Sequence, residues 1–180
     1  GAGSDSYFWD VGEGADVITE LPGNGVADQI AIGGSRQGVG NPDKSTYLDG
    51  DDQFNLTANS DYSVQVNTNV EPLVLDDIER INIAAGGGAD TVTLGSLVGT
   101  DVEHMAIDLS QIDQTGPSQG DTVTDEGSVS ADTITVEGVF LSATQTNLQN
   151  QSKSSFDKKV VQIKDTTATD INIFIVNSDP

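Results

Sequence analysis

The chain has 180 residues, no cysteine, and a formal net charge of -22 from 29 acidic and 7 basic side chains. That composition excludes disulfides, thiolate metal centres and a cysteine nucleophile, and it opposes binding to nucleic acid or insertion into membranes. No apolar run approaches membrane-spanning length, and the length suits one domain with a substantial core.

Residues 1–34 read as three short strands separated by turns, with Tyr7, Trp9, Ile18, Ile30 and Ile32 facing a core. Trp9 reads as buried packing rather than a sugar-stacking platform. Ser35 to Ser45 has loop composition. Asp49-Gly50-Asp51-Asp52 reads as a solvated turn, with a cation site as the second reading. Phe54-Asn55-Leu56 and Tyr62 to Val66 alternate like strands, and Asn55-Leu56-Thr57 and Asn150-Gln151-Ser152 are glycosylation sequons. Leu73-Val74-Leu75 and Ile81-Asn82-Ile83 are strands around an Asp76-Asp77 turn. In Val102 to Ile107 the alternation puts Met105 and Ile107 inside and His104 outside. Asp113 to Gly120 is another loop, and Asn147 to Lys159 is polar and reads as either an excursion or a disordered segment. Val160 to Ile163 and Ile171 to Val176 resume strand patterning; no stretch reads as an amphipathic helix of convincing length, Leu141 to Gln149 coming nearest.

The organising stretch is Ala85-Gly86-Gly87-Gly88-Ala89-Asp90-Thr91-Val92-Thr93-Leu94. Glycines supply positive φ for a tight turn, Asp and turn carbonyls offer hard oxygen donors, and the alternation that follows suits a half-buried strand. Gly1-Ala2-Gly3-Ser4-Asp5 and Gly12-Glu13-Gly14-Ala15-Asp16 repeat the G-x-G-x-D pattern, and weaker copies surround Asp28, Asp121 and Asp132. The pattern resembles the haemolysin-type (RTX) calcium-binding repeat family, G-G-x-G-x-D-x-U-x with U apolar. The resemblance covers residues 1–32 and 78–136.

It implies an all-β chain: a right-handed parallel β-solenoid, part β-roll and part β-helix, with loop excursions. Aspartate intervals near eleven and twenty residues also suit half and full turns of such a repeat. The expected organisation is a single domain over 1–180, divided into RTX-like turns (1–34), degenerate coils and a loop (35–77), RTX-like coils (78–136) and degenerate C-terminal coils (137–180). It reads as a piece of a longer repeat protein, secreted or at the cell surface. The resemblance also implies Ca²⁺ at Gly1, Gly3, Asp5, Gly12, Gly14, Asp16, Asp28, Gly86, Gly88, Asp90, Asp121 and Asp132. The competing reading is that glycine and Asp only shape turns, with carboxylates capping backbone N–H groups.

No catalytic constellation is expected. His104 is the single histidine and reads as a surface residue, and Asp51-Asp52 and Asp76-Asp77 point to opposite faces of any strand they join. Three T-x-T triplets, at Thr91, Thr122 and Thr133, suggest a flat outward face of the ice-binding kind, against the ordinary reading of outward strand threonines. The function these readings favour is an extracellular structural or adhesive segment stabilised by Ca²⁺. The second reading is a carbohydrate- or surface-binding module. Expected partners are neighbouring repeats or further copies end to end, with Tyr7–Trp9 and Ile171–Val176 as open edges, and cell-surface polysaccharide.

Overall fold

The computed structural model describes residues 3–21, 27–34, 50–109, 121–125, 133–138, 160–165 and 171–175, with side chains placed through residue 125. Thirteen strands are described: β1 (Ser6–Asp10), β2 (Asp16–Thr19), β3 (Gln29–Gly33), β4 (Gln53–Ala58), β5 (Val64–Thr68), β6 (Pro72–Asp76), β7 (Arg80–Ala84), β8 (Thr91–Leu94), β9 (His104–Asp108), β10 (Asp121–Asp125), β11 (Thr133–Gly138), β12 (Val160–Asp165) and β13 (Ile171–Ile175). Among the described residues no helix is long and apolar enough to cross a membrane. The expected excursions at 35–45, 113–120 and 147–159, the helix candidate at 141–149 and the Asn150 sequon lie outside the described residues, as do Gly1 and Asp132.

The strands form two sheets, ordered β1-β3-β7-β9-β12-β11 and β13-β10-β8-β4-β5-β6-β2. The first is parallel throughout. Period-two alternation makes the inner face of each sheet. Ile30 and Ile32, Ile81 and Ile83, and Met105 and Ile107 come from the first, while Phe54 and Leu56, Leu73 and Leu75, and Val92 and Leu94 come from the second. All belong to one buried cluster. Trp9 joins it, 3% exposed, and Tyr7 and Ile18 pack against its border. His104 is exposed, and Met105 and Ile107 are buried.

The second sheet overturns the expected parallel β-solenoid. β4 runs antiparallel to β5, and β5 antiparallel to β6, so this sheet is mixed. Nor does strand order follow the chain: β2 lies beside β6, and β12 lies between β9 and β11. The reason is local. Antiparallel neighbours can be joined by a tight turn, whereas parallel neighbours need a longer crossover. After β4 the Tyr62 N–H donates to the Asn59 carbonyl at 3.1 Å, the Asn59 N–H donates to the Ser63 carbonyl at 2.8 Å, and Tyr62 takes φ 70°. Asp61 Oδ1 accepts from the Ser63 hydroxyl at 2.7 Å, a bond that holds its carboxyl below the ordinary range. After β5, Thr68 Oγ1 accepts from the Glu71 N–H at 3.0 Å and donates to the Glu71 carbonyl at 2.7 Å. These two reversals return the chain to the same sheet where a solenoid would send it to the other.

Charge is distributed by this alternation. The outward positions of β10, β8, β4 and β5 are all uncharged. One row across them reads Thr124, Thr93, Asn55, Asn67, and the row beside it reads Thr122, Thr91, Gln53. The carboxylates gather instead where strands begin and end.

Candidate functional site

The residues that carry the G-x-G-x-D pattern lie at strand entrances, and pairing brings them into rows. Ser6 pairs with Gln29 and Gln29 with Arg80, so Asp5, Asp28 and Glu79 share a rung at the entrance of the first sheet. The Asp5 N–H donates to Asp28 Oδ1 at 2.7 Å, and the Asp28 N–H donates to Glu79 Oε2 at 2.6 Å. Gln53 pairs with Thr91 and Thr91 with Thr122, which aligns Asp52, Asp90 and Asp121 in the second sheet. There the Asp52 N–H donates to Asp90 Oδ1 at 2.9 Å, and the Asp90 N–H donates to Asp121 Oδ1 at 2.8 Å. At the first rung of these four pairings, β1 with β3, β3 with β7, β4 with β8 and β8 with β10, a carboxylate of the next strand accepts the N–H that precedes the ladder. Charge-assisted bonds of this kind are stronger than neutral ones, and they make burial of these groups tolerable. Asp28, Asp52, Asp90 and Asp121 are each 3% exposed or less.

The glycine turns hold carboxylates too. Gly12 and Gly14 both direct their N–H groups at Glu71 Oε1, the Gly14 bond being 3.1 Å. The Ala89 N–H donates to Asp51 Oδ1 at 2.8 Å. Successive amides around a positive-φ glycine form a concavity suited to an anion, and here the chain's own acids fill it. Trp9 Nε1 fastens the first of these turns, donating to Asp16 Oδ2 at 3.0 Å and to the Gly14 carbonyl at 3.2 Å.

The structure thus joins Asp5 with Asp28, and Asp90 with Asp121. Gly12, Gly14 and Asp16 form a separate turn at the entrance of β2, and Gly86 and Gly88 lead into β8. Gly3 takes φ 123° ahead of β1. Asp52, Glu71, Glu79 and Asp51 complete these contacts; sequence reasoning gave Glu71 and Glu79 no role and read Asp51-Asp52 as a solvated turn, whereas Asp52 is buried and Asp51 caps the Ala89 N–H. For Asp52 a signal existed, because Gly50-Asp51-Asp52-Gln53-Phe54 repeats the G-x-D-x-U half of the motif. Glu71 and Glu79 carry no such mark; only tertiary pairing identifies them. The T-x-T triplets at Thr91 and Thr122 lie side by side on one face, whereas Thr133 begins β11 in the other sheet.

All donors in the rows are hard oxygens, the kind Ca²⁺ takes. Among the described residues, however, no three His, Asp or Glu side chains are grouped to hold a metal ion. Comparison with family models, with curated proteins and with solved structures found no match.

A second acidic group forms between β6 and β9. Asp77, at φ 55°, is held above the ordinary carboxylate range by partial burial first, then by the Asp76 and Asp101 carboxylates, a shared hydrogen bond with Asp101, and Glu79. The native state therefore keeps a proton at pH values where the unfolded chain has lost it. Stability from this group is present below the unfolded value of 3.8 and is lost as pH rises through the raised native value. Asp77→Asn, which tolerates the same left-handed backbone, is expected to raise the melting temperature near neutral pH. The gain should shrink toward zero by about pH 3.5, and melts across that interval check it.

Asp90→Ala is expected to cost about 1–3 kcal/mol, since the buried Asp52 N–H loses its acceptor. Asp90→Asn keeps an acceptor oxygen and should cost less. Urea unfolding of the two variants reads the difference, and equal losses would mean that the cap is not what Asp90 contributes.

Proposed function

We propose that this chain is a non-enzymatic structural or adhesive segment working outside the cell, with Ca²⁺ as the cation that neutralises its acidic strand entrances. The observation that carries the reading is the use of the motif carboxylates: Asp28, Asp90 and Asp121 are buried, and each accepts a backbone N–H from the neighbouring strand entrance. Groups committed in this way hold strands together and do not reach a substrate. The bonds come at an electrostatic cost, because neighbouring carboxylates in a row follow the strand spacing of about 4.8 Å and repel one another. A divalent cation drawn to the row offsets that repulsion only in the folded state, where the row exists.

Chelated protein melted with and without Ca²⁺, with Mg²⁺ at equal concentration as control, tests this. Saturating Ca²⁺, at about a hundred times its dissociation constant, should add about 2.7 kcal/mol and raise the melting temperature more than Mg²⁺ does. An unchanged midpoint would remove Ca²⁺ from the proposal and leave the carboxylate caps as the sole device at the strand entrances.

A further inference from the structure

We propose that the uncharged outward face of β10, β8, β4 and β5 binds a neutral polysaccharide laid flat across the strands. This rests on the adhesive reading and gives it a ligand class. The starting point is charge segregation. In a chain of net charge -22, four adjacent strands present no ionisable group on their outer side. The central row, Thr124, Thr93, Asn55 and Asn67, follows the pairing register directly, with Thr122 and Thr91 in the row beside it. Asn55 and Asn67 are exposed and the four threonines half-exposed.

Each of these side chains both donates and accepts hydrogen bonds. They are repeated at the strand spacing of about 4.8 Å across the sheet, so they offer a two-dimensional lattice of hydroxyls and amides. Sugar hydroxyls are also donors and acceptors at once, so an uncharged polysaccharide matches the lattice in chemistry. Charge decides among candidate partners. A polyuronate or sulfated glycan is repelled by the acidic strand ends that border the face. A second copy of this chain brings the same -22 charge toward the first. A neutral polymer meets neither obstacle.

The test is co-sedimentation of the full chain, in the presence of chelator, with insoluble cellulose and insoluble mannan, with insoluble carboxymethyl-cellulose as the charged comparison. Wild type should pellet with at least one neutral polymer and stay in solution with the charged one. Asn67→Asp and Thr122→Glu, at opposite ends of the face, should each weaken binding by about tenfold or more. Asn82→Asp, outward on β7 in the other sheet, should leave it unchanged. Far-UV circular dichroism of each variant confirms that it is folded, and two independent face variants guard against the loss of either.

No pelleting with either neutral polymer overturns the inference. So does equal binding by the face variants, or sedimentation without any polysaccharide, which would identify self-association instead. Inhibition of ice growth abolished by the same variants, without polysaccharide binding, would reassign the face to ice. The Ca²⁺ melts are read separately, so failure here leaves the structural reading standing, and failure there leaves this one standing.

Discussion

Phe54→Ala is expected to lower the unfolding free energy by about 3–5 kcal/mol. Phe54 is 1% exposed and is the largest of the fully buried side chains among the described residues. It lies on β4, where the parallel and antiparallel halves of the second sheet meet: β8 pairs with β4 on one side and β5 on the other. Truncation removes apolar surface and leaves a cavity. β4 is anchored on both flanks, so the walls can collapse only partly. Urea unfolding should show a lower midpoint at an unchanged slope. A loss below about 1 kcal/mol would mean that β4 does not lie at the centre of the core.

Gly88→Ala should cost about 2–6 kcal/mol, and Gly14→Ala only about 1–3 kcal/mol. The two glycines hold the same place in their G-x-G-x-D copies, and both have positive φ, 130° and 112°. Backbone strain on adding a Cβ is therefore similar, about 1–3 kcal/mol. Their surroundings differ. A Cβ on Gly88 would lie 2.3 Å from the Gly50 carbonyl oxygen, whereas one on Gly14 meets nothing within 4 Å. Relieving contact with a backbone oxygen adds an overpacking penalty of about 1–3 kcal/mol. Parallel melts of the two variants isolate that extra term, and equal losses would mean that the turns at Gly50 and Gly88 do not stack.

The strands themselves were legible in the sequence. Alternation placed Ile30, Ile32, Met105 and Ile107 inside and His104 outside, and the structure agrees because period-two patterning is a property of a single strand. The G-x-G-x-D copies marked strand entrances for the same local reason: positive-φ glycines and a short acceptor side chain define a turn wherever it lies. Asp5 and Asp28, 23 residues apart, fit the expected full-turn interval, so their pairing was within reach of that reasoning. Asp90 and Asp121, 31 residues apart, do not fit it.

Direction and partnership were decided elsewhere. The sequence of 53–76 fits parallel or antiparallel strands equally well. The hydrogen bonds of Asn59 with Tyr62 and Ser63, and of Thr68 with Glu71, turned it into an antiparallel meander. Likewise, two equivalent motif glycines became unequal once one of them was stacked on Gly50. Glu71 and Glu79 entered the acidic contacts through spatial neighbours 59 and 51 residues away in the chain. Local conformation follows from side-chain sterics and turn chemistry, which the sequence of this chain states outright. Which strand lies beside which depends on long-range hydrogen bonds and shared burial, and those exist only once the chain has folded.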